Sequence, residues 1–256
     1  MSIKQQKLRQ KIQNNTTLNY SPNFDPKKRK KKHIKFIVFH YTGMKKESDA
    51  LARLRDQRSK VSSHYFIKSN GQILTLIPER YIAWHAGISA WGKYRSINKF
   101  SIGIEISNPG HDNKYKKFTK KQINSVVKLS KNLIQKYNIA SKFILGHSDI
   151  APGRKKDPGE KFPWKKLSES KIGFWHNLDR KKMFNLRNKK IDELDKNNFI
   201  HNLYKIGYSR YVGKNSNSYL KRIVEAFQRR FRQELINGKI DKECLLISRN
   251  LVKKFK

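Results

Sequence analysis

The 256-residue chain carries 59 Lys and Arg against 19 Asp and Glu, a formal charge of +40, with 36% hydrophobic residues. That is enough apolar mass for one fair-sized domain and a smaller companion, and a charge that draws the chain to polyanions unless it only loads solvated faces with lysine. One cysteine, Cys244, excludes an internal disulfide framework and any cysteine-rich metal cluster. The basic residues are spread along the chain, apart from the run at 27–32, and lack the aromatic interleaving of an RNA-binding module, so no specific nucleic-acid partner is expected.

In chain order, residues 1–33 read as a polar arm, with room for a helix over 3–13. The first twenty residues hold no apolar run for a signal or a transmembrane segment, and no cysteine for lipid attachment. A cytoplasmic chain is the expectation, with the periplasm or cell envelope as the alternative, because a processed exported chain also lacks its signal.

The β-rich run 34–39 closes on His40 and the turn-like Tyr41-Thr42-Gly43. Ala50, Leu51 and Leu54 at helical spacing predict a helix over 48–58 capped by Ser48. The segments 64–67 and 72–77, joined across Asn70-Gly71, predict a hairpin. After Trp84-His85-Ala86-Gly87 and a loop to Asn98, a strand over 101–106 is interrupted by Glu105. A carboxylate in so apolar a strand is costly unless it is paired, functional, or reaches solvent at the strand end. Thr119 caps a predicted amphipathic helix running to Tyr137, with Ile123, Val126, Val127, Leu129, Leu133 and Ile134 on its buried stripe.

A short strand over 143–145 then leads into Gly146–Gly159, where Pro152 and Pro158 forbid long regular structure and Asp157 can bend back towards His147. Two histidines at strand ends, His40 and His147, plus the Asp157 carboxylate are ligand types that zinc accepts. Three such ligands leave a fourth tetrahedral position for water, as in catalytic sites. Residues 171–198 read as a linker. Beyond it, apolar spacing over 199–206, 218–231 and 241–251 predicts a small helical module.

Phe39-His40-Tyr41-Thr42, Ser63-His64-Tyr65, Ala83-Trp84-His85-Ala86-Gly87, Ser101-Ile102-Gly103-Ile104-Glu105, Gly146-His147-Ser148-Asp149-Ile150-Ala151-Pro152 and Arg154-Lys155-Lys156-Asp157-Pro158-Gly159 stand here in one order. With them the chain resembles the zinc-dependent N-acetylmuramoyl-L-alanine amidases of the amidase-2 family, the group of the AmpD and AmiD enzymes, which shares its fold with peptidoglycan recognition proteins. The run Lys221 to Gln228 and the segment Asn237 to Asp241 resemble the peptidoglycan-binding helical module of the AmiD type.

The resemblance implies an α/β fold, a mixed central sheet with flanking helices over 34–170, plus a C-terminal all-α module over 199–256. It implies one Zn2+ per chain on His40, His147 and Asp157, with Glu105 as general base and Lys155 facing the oxyanion; without it Lys155 reads as one more exposed lysine. It implies peptidoglycan or a muropeptide as substrate, cut between the lactyl group and L-alanine. The alternative is a recognition protein that binds the same ligand without hydrolysis. Tyr41, Trp84, His85 and Asn98 match cleft positions and are candidate substrate contacts. A packed or structurally bonded role is open for Tyr41 and His85, and is preferred for His64. A monomer is expected.

Overall fold

The computed structural model describes residues 16–210 and 216–254; the helix expected over 3–13 lies outside them. The chain divides into two compact units, Met1–Gly87 with Asn98–Ala140, and Ile88–Ile97 with Ser141–Lys256. The architecture is a mixed β-sheet flanked by helices, followed by a C-terminal helical part.

In the first unit five strands, β1 (Thr16–Leu18), β3 (Phe36–Tyr41), β4 (Tyr65–Ile67), β5 (Ile73–Thr75) and β9 (Ser101–Ile106), lie in the order β1-β5-β4-β9-β3. Only β4 and β5, the expected Asn-Gly hairpin, run antiparallel; β1 with β5, β4 with β9 and β9 with β3 are parallel. Parallel strands are covered on both faces, which is why β3 and β9 read as nearly unbroken apolar runs. The β3–β9 register pairs Phe36 with Ser101 and continues to His40 with Glu105 and Tyr41 with Ile106. Two short strands, β2 (Phe24–Asp25) and β6 (Ile82–Ala83), pair beside the sheet.

Helix α1 (Glu47–Arg55) buries Ala50 and Leu54 in a cluster with Phe66, Leu74, Leu76 and Ile77. It starts one residue before Ser48, so Ser48 is not its cap: the Ser48 hydroxyl bonds Asp49 instead, at 3.1 Å. Glu47 and Asp49 in the first turn complement the helix dipole without a side-chain cap. Helix α2 (Lys120–Tyr137) packs against β4 and begins as expected, with Thr119 and Gln122 closing a reciprocal capping box.

The second unit opens with the hairpin of β7 (Ala90–Trp91) and β8 (Tyr94–Arg95) and resumes at β10 (Ile144–Gly146). Residues 147–150 do not extend the irregular loop expected there. They form one helical turn, α3 (His147–Ile150), because the Gly146 N–H donates to the Asp149 carboxylate at 2.8 Å and fixes the first turn. Short helices α4 (Trp164–Glu169) and α5 (Arg180–Phe184) follow, then the longer α6 (Glu193–Ile206), α7 (Ser216–Phe231) and α8 (Lys242–Lys253). The 171–198 segment thus carries α5, capped by Asp179, and the first residues of α6, capped by Asp192.

Phe199, Leu203, Tyr208, Phe227, Phe231, Leu245 and Leu251 are among the buried apolar side chains of this unit. The Phe199 and Phe227 rings meet edge-on at 5.2 Å, as do Trp91 and Tyr208 at 5.0 Å. Each buried phenylalanine contributes roughly 2–3 kcal/mol. Gly207, at φ +133°, sits where any Cβ would lie 2.3 Å from the Trp91 ring, so the chain turns out of α6 there only on glycine.

Candidate active site

His40 lies at the end of β3 with 1% of its surface exposed. Parallel register places Glu105 of β9 opposite it, so both side chains project from the same face, about 5 Å apart at their Cβ atoms. Glu105 is half-buried among buried neighbours on its strand.

Behind His40 stands His85. Its Nδ1 is 3.0 Å from His40 Nε2, and its Nε2 is 2.9 Å from the Ser101 hydroxyl. The tautomers compatible with metal binding have His40 Nε2–H donating to His85 and His85 Nε2–H donating to Ser101. They present the His40 Nδ1 lone pair to a metal, and a ligating histidine is ordinarily aimed by such a bond. Gly103 makes room for this relay: a Cβ there would sit 2.4 Å from the His85 ring. Asn98 holds the segment from the other side, accepting at Oδ1 the His85 N–H at 3.1 Å and the Ala86 N–H at 2.7 Å.

His64, by contrast, is a structural histidine, as its place at the start of a hairpin strand suggested. The Gly103 N–H donates to its Nδ1 at 3.0 Å, so Nε2 carries the proton and donates to the Tyr81 carbonyl at 3.1 Å. Full burial, helped by the Arg29 guanidinium 3.1 Å away, pushes its pKa down to about 3. Trp84 donates its indole N–H to Asp25 at 2.8 Å. The Tyr41 hydroxyl meets His111 Nδ1 at 2.8 Å, in an aromatic group that includes Tyr115.

In the second unit, His147 opens α3 and Asp157 lies at the far end of the loop, both buried. The Ser148 N–H donates to the Asp157 carbonyl at 2.8 Å, folding the loop back on itself. His147 Nδ1 then lies 3.1 Å from Asp157 Oδ2. Two atoms each ~2.0–2.1 Å from a tetrahedral zinc stand about 3.3 Å apart, so this pair has the spacing of two ligands on one ion. Lys155 is exposed; its N–H donates to the Ala151 carbonyl at 3.0 Å, and Arg154 donates to the Ile88 carbonyl at 2.7 Å.

Among the described residues, His40, His147 and Asp157 form a group that can hold a metal ion: each offers one ligand atom, and these lie within 4.8 Å of one another. Two imidazoles and one carboxylate are a donor set suited to an open zinc site.

Three residues without a role in the sequence reading belong beside this site. The carboxylate of Asp149 takes the Tyr208 hydroxyl at 3.0 Å and the guanidinium of Arg230, which also donates to the Ile144 carbonyl at 2.9 Å. Asp149 was visible in the motif around His147. Arg230 carries no signal in a helix that also holds Arg222 and Arg229.

The profile of a family described as N-acetylmuramoyl-L-alanine amidase (Amidase_2) matches residues 30–160. The N-acetylmuramoyl-L-alanine amidase AmiD of Escherichia coli K12 is 36% identical over 234 residues, 87% of this chain and 83% of that protein. Its structure in complex with the substrate anhydro-N-acetylmuramic acid-L-Ala-D-gamma-Glu-L-Lys superposes with a TM-score of 0.75 at 35% identity, covering 87% of this chain and 90% of AmiD. AmpDh3 of Pseudomonas aeruginosa, solved with anhydromuramic pentapeptide, gives a TM-score of 0.76 at 31% identity over 90% of this chain and 94% of its own. The 1,6-anhydro-N-acetylmuramyl-L-alanine amidase AmpD of Escherichia coli is 39% identical over 105 residues, 41% of this chain and 55% of AmpD. With a metal-competent His/His/Asp group and likeness running through both units, the chain belongs to the N-acetylmuramoyl-L-alanine amidase family.

Proposed function

We propose that this chain is a zinc amidase that hydrolyses the bond between the lactyl group of N-acetylmuramic acid, or its 1,6-anhydro form, and the L-alanine of the stem peptide. The observation that carries the reading is the His40, His147 and Asp157 group, with Glu105 in register beside His40. A complete ligand set and a neighbouring carboxylate favour hydrolysis over mere recognition. The bound anhydromuropeptides in the AmiD and AmpDh3 structures support a muropeptide as the substrate class.

His40, His147 and Asp157 would hold one zinc ion, which when bound supplies a Lewis acid and makes a water molecule acidic near neutral pH. Glu105 accepts the proton of the attacking water and returns it to the departing alanine amine. Lys155 faces the oxygen on which negative charge develops, and a fixed cation there acts mainly on the transition state. Tyr41 and Trp84 offer ring faces to sugar and peptide, while His85 and Asn98 shape the cleft wall through the bonds described above. Among the described residues no helix is long and apolar enough to cross a membrane.

The test pairs zinc analysis with stem-peptide release from a 1,6-anhydro muropeptide and from intact wall, for the wild type and Asp157→Ala. One zinc per chain and peptide release, both lost in Asp157→Ala, support the reading. A wild type that binds muropeptide but neither holds zinc nor releases peptide replaces the enzyme with a recognition protein.

A further inference from the structure

We propose that the buried Asp149–Arg230 ion pair, completed by Tyr208, is a positioning device that holds His147 in its metal-binding orientation, so that the C-terminal helical part helps build the zinc site. The inference rests on the zinc amidase reading above.

Both side chains of the pair are 1% exposed. Nothing about stability requires such a pair: desolvating two ions costs several kcal/mol, and well-packed apolar replacements are often as stable or more so. What a buried pair does provide is direction, and here the directions converge on one short segment. Arg230 donates through Nη1 to Asp149 Oδ2 and through Nη2 to the Ile144 carbonyl, while the Gly146 N–H donates to the same Asp149 oxygen. The Tyr208 hydroxyl closes the remaining carboxylate oxygen.

The backbone is therefore gripped at Ile144 and Gly146, before His147, and at Asp149, after it. From Ser148 the bond to the Asp157 carbonyl carries the same constraint to the next ligand. Arg230 cannot drift, because its guanidinium lies 4.1 Å from the Trp164 ring centroid and 4.4 Å from that of Phe174. Groups hydrogen-bonded directly to a ligating histidine typically account for 10- to 100-fold in metal affinity, which sets the scale for a brace that acts on His147 through its backbone.

The decisive measurement is zinc affinity of metal-stripped full-length protein by chelator competition, with thermal unfolding of the same samples. The double variant Asp149→Leu with Arg230→Met removes the aiming bonds but keeps the site packed. It is expected to melt near the wild-type temperature and bind zinc 10- to 100-fold more weakly. Tyr208→Phe deletes one hydroxyl, leaves the fold intact, and is expected to weaken zinc at least fivefold. Wild-type affinity in a folded double variant, or in Tyr208→Phe if the double variant does not fold, overturns the proposal and leaves the pair as packing. A wild type that binds no zinc brings down the amidase reading, and this inference with it.

Discussion

His40 and Glu105 are register partners on adjacent parallel strands, so a metal-ligand type and a carboxylate are delivered to one face at one level by the sheet itself. The spacing is set by backbone hydrogen bonds and not by loop conformation. A one-residue slip of either strand would send one side chain to the opposite face. This rigidity suits the acid–base role proposed for Glu105, which requires a carboxylate that stays within reach of a reacting water.

Replacing Glu105 by Gln should therefore separate acid–base work from metal binding. The amide is nearly the same shape but cannot accept the water proton. Peptide release is expected to fall by roughly 10²–10⁴-fold, with zinc content unchanged. Loss of zinc in Glu105→Gln would instead make the residue a ligand.

Lys155 is exposed in a chain with 59 basic residues, so its role needs a matched control. Lys155→Ala is expected to lower kcat about 10²–10³-fold with little change in KM, since a cation aimed at developing charge acts on the transition state. Its exposed neighbour should behave as ordinary surface: Lys156→Ala should leave both constants near the wild type. Equal effects from the two substitutions would reduce Lys155 to general surface charge.

The sequence was most legible where local chemistry alone decides structure. Asn70-Gly71 announced the β4–β5 hairpin and Thr119 with Gln122 the start of α2, because turn and cap geometry is written within four residues. Ser48 misled, since its hydroxyl could cap the helix only if the chain entered it two residues later than it does. The strands of β2, β6, β7 and β8 were invisible because two residues carry no periodicity. At the site, residue types at strand ends marked His40 and His147. The aiming contacts were not legible: Arg230 and Asp149 lie 81 positions apart, and only folding distinguishes this arginine from its neighbours.

Gly103 should be intolerant of even one methyl group. A Cβ 2.4 Å from the His85 ring must push that ring off its bonds to His40 and Ser101. Gly103→Ala is expected to cost about 1–3 kcal/mol in denaturant unfolding, as overpacked cores do. In a His85→Ala background most of that cost should vanish, because the clash has lost its partner. Additive costs in the double-mutant cycle would place the strain elsewhere on β9.

His64 gives the fold an acid limit with a definite sign. Its pKa is about 3 when folded against 6.5 as the ordinary value, so the unfolded chain takes up the proton first. Stability from this group is fully present above about pH 6.5 and is lost progressively as pH falls towards 3, to a ceiling of about 5 kcal/mol. His64→Gln removes the titration, so its unfolding free energy, though lower at pH 7, should fall less steeply between pH 6.5 and 4 than that of the wild type. Parallel curves would assign the acid sensitivity to other groups.

Ending the chain at residue 198 should destroy more than a wall-binding accessory. That truncation removes Tyr208 and Arg230, and with them the contacts through which Arg230 holds the Asp149 carboxylate and the Ile144 carbonyl. It also strips away Phe227 and Phe231, whose rings pack at 5.2 Å, and with Phe231 a neighbour of Phe174 at 5.3 Å. Each large apolar side chain left uncovered costs roughly 1.5–3 kcal/mol, and the segment around His147 loses its brace. The 1–198 fragment is expected to show no zinc binding near the full-length affinity and no peptide release from a soluble muropeptide, a substrate that needs no wall anchor. A fragment that keeps full activity on the soluble substrate, and loses it only on intact wall, would make residues 199–256 a targeting appendage and the loop around His147 self-sufficient.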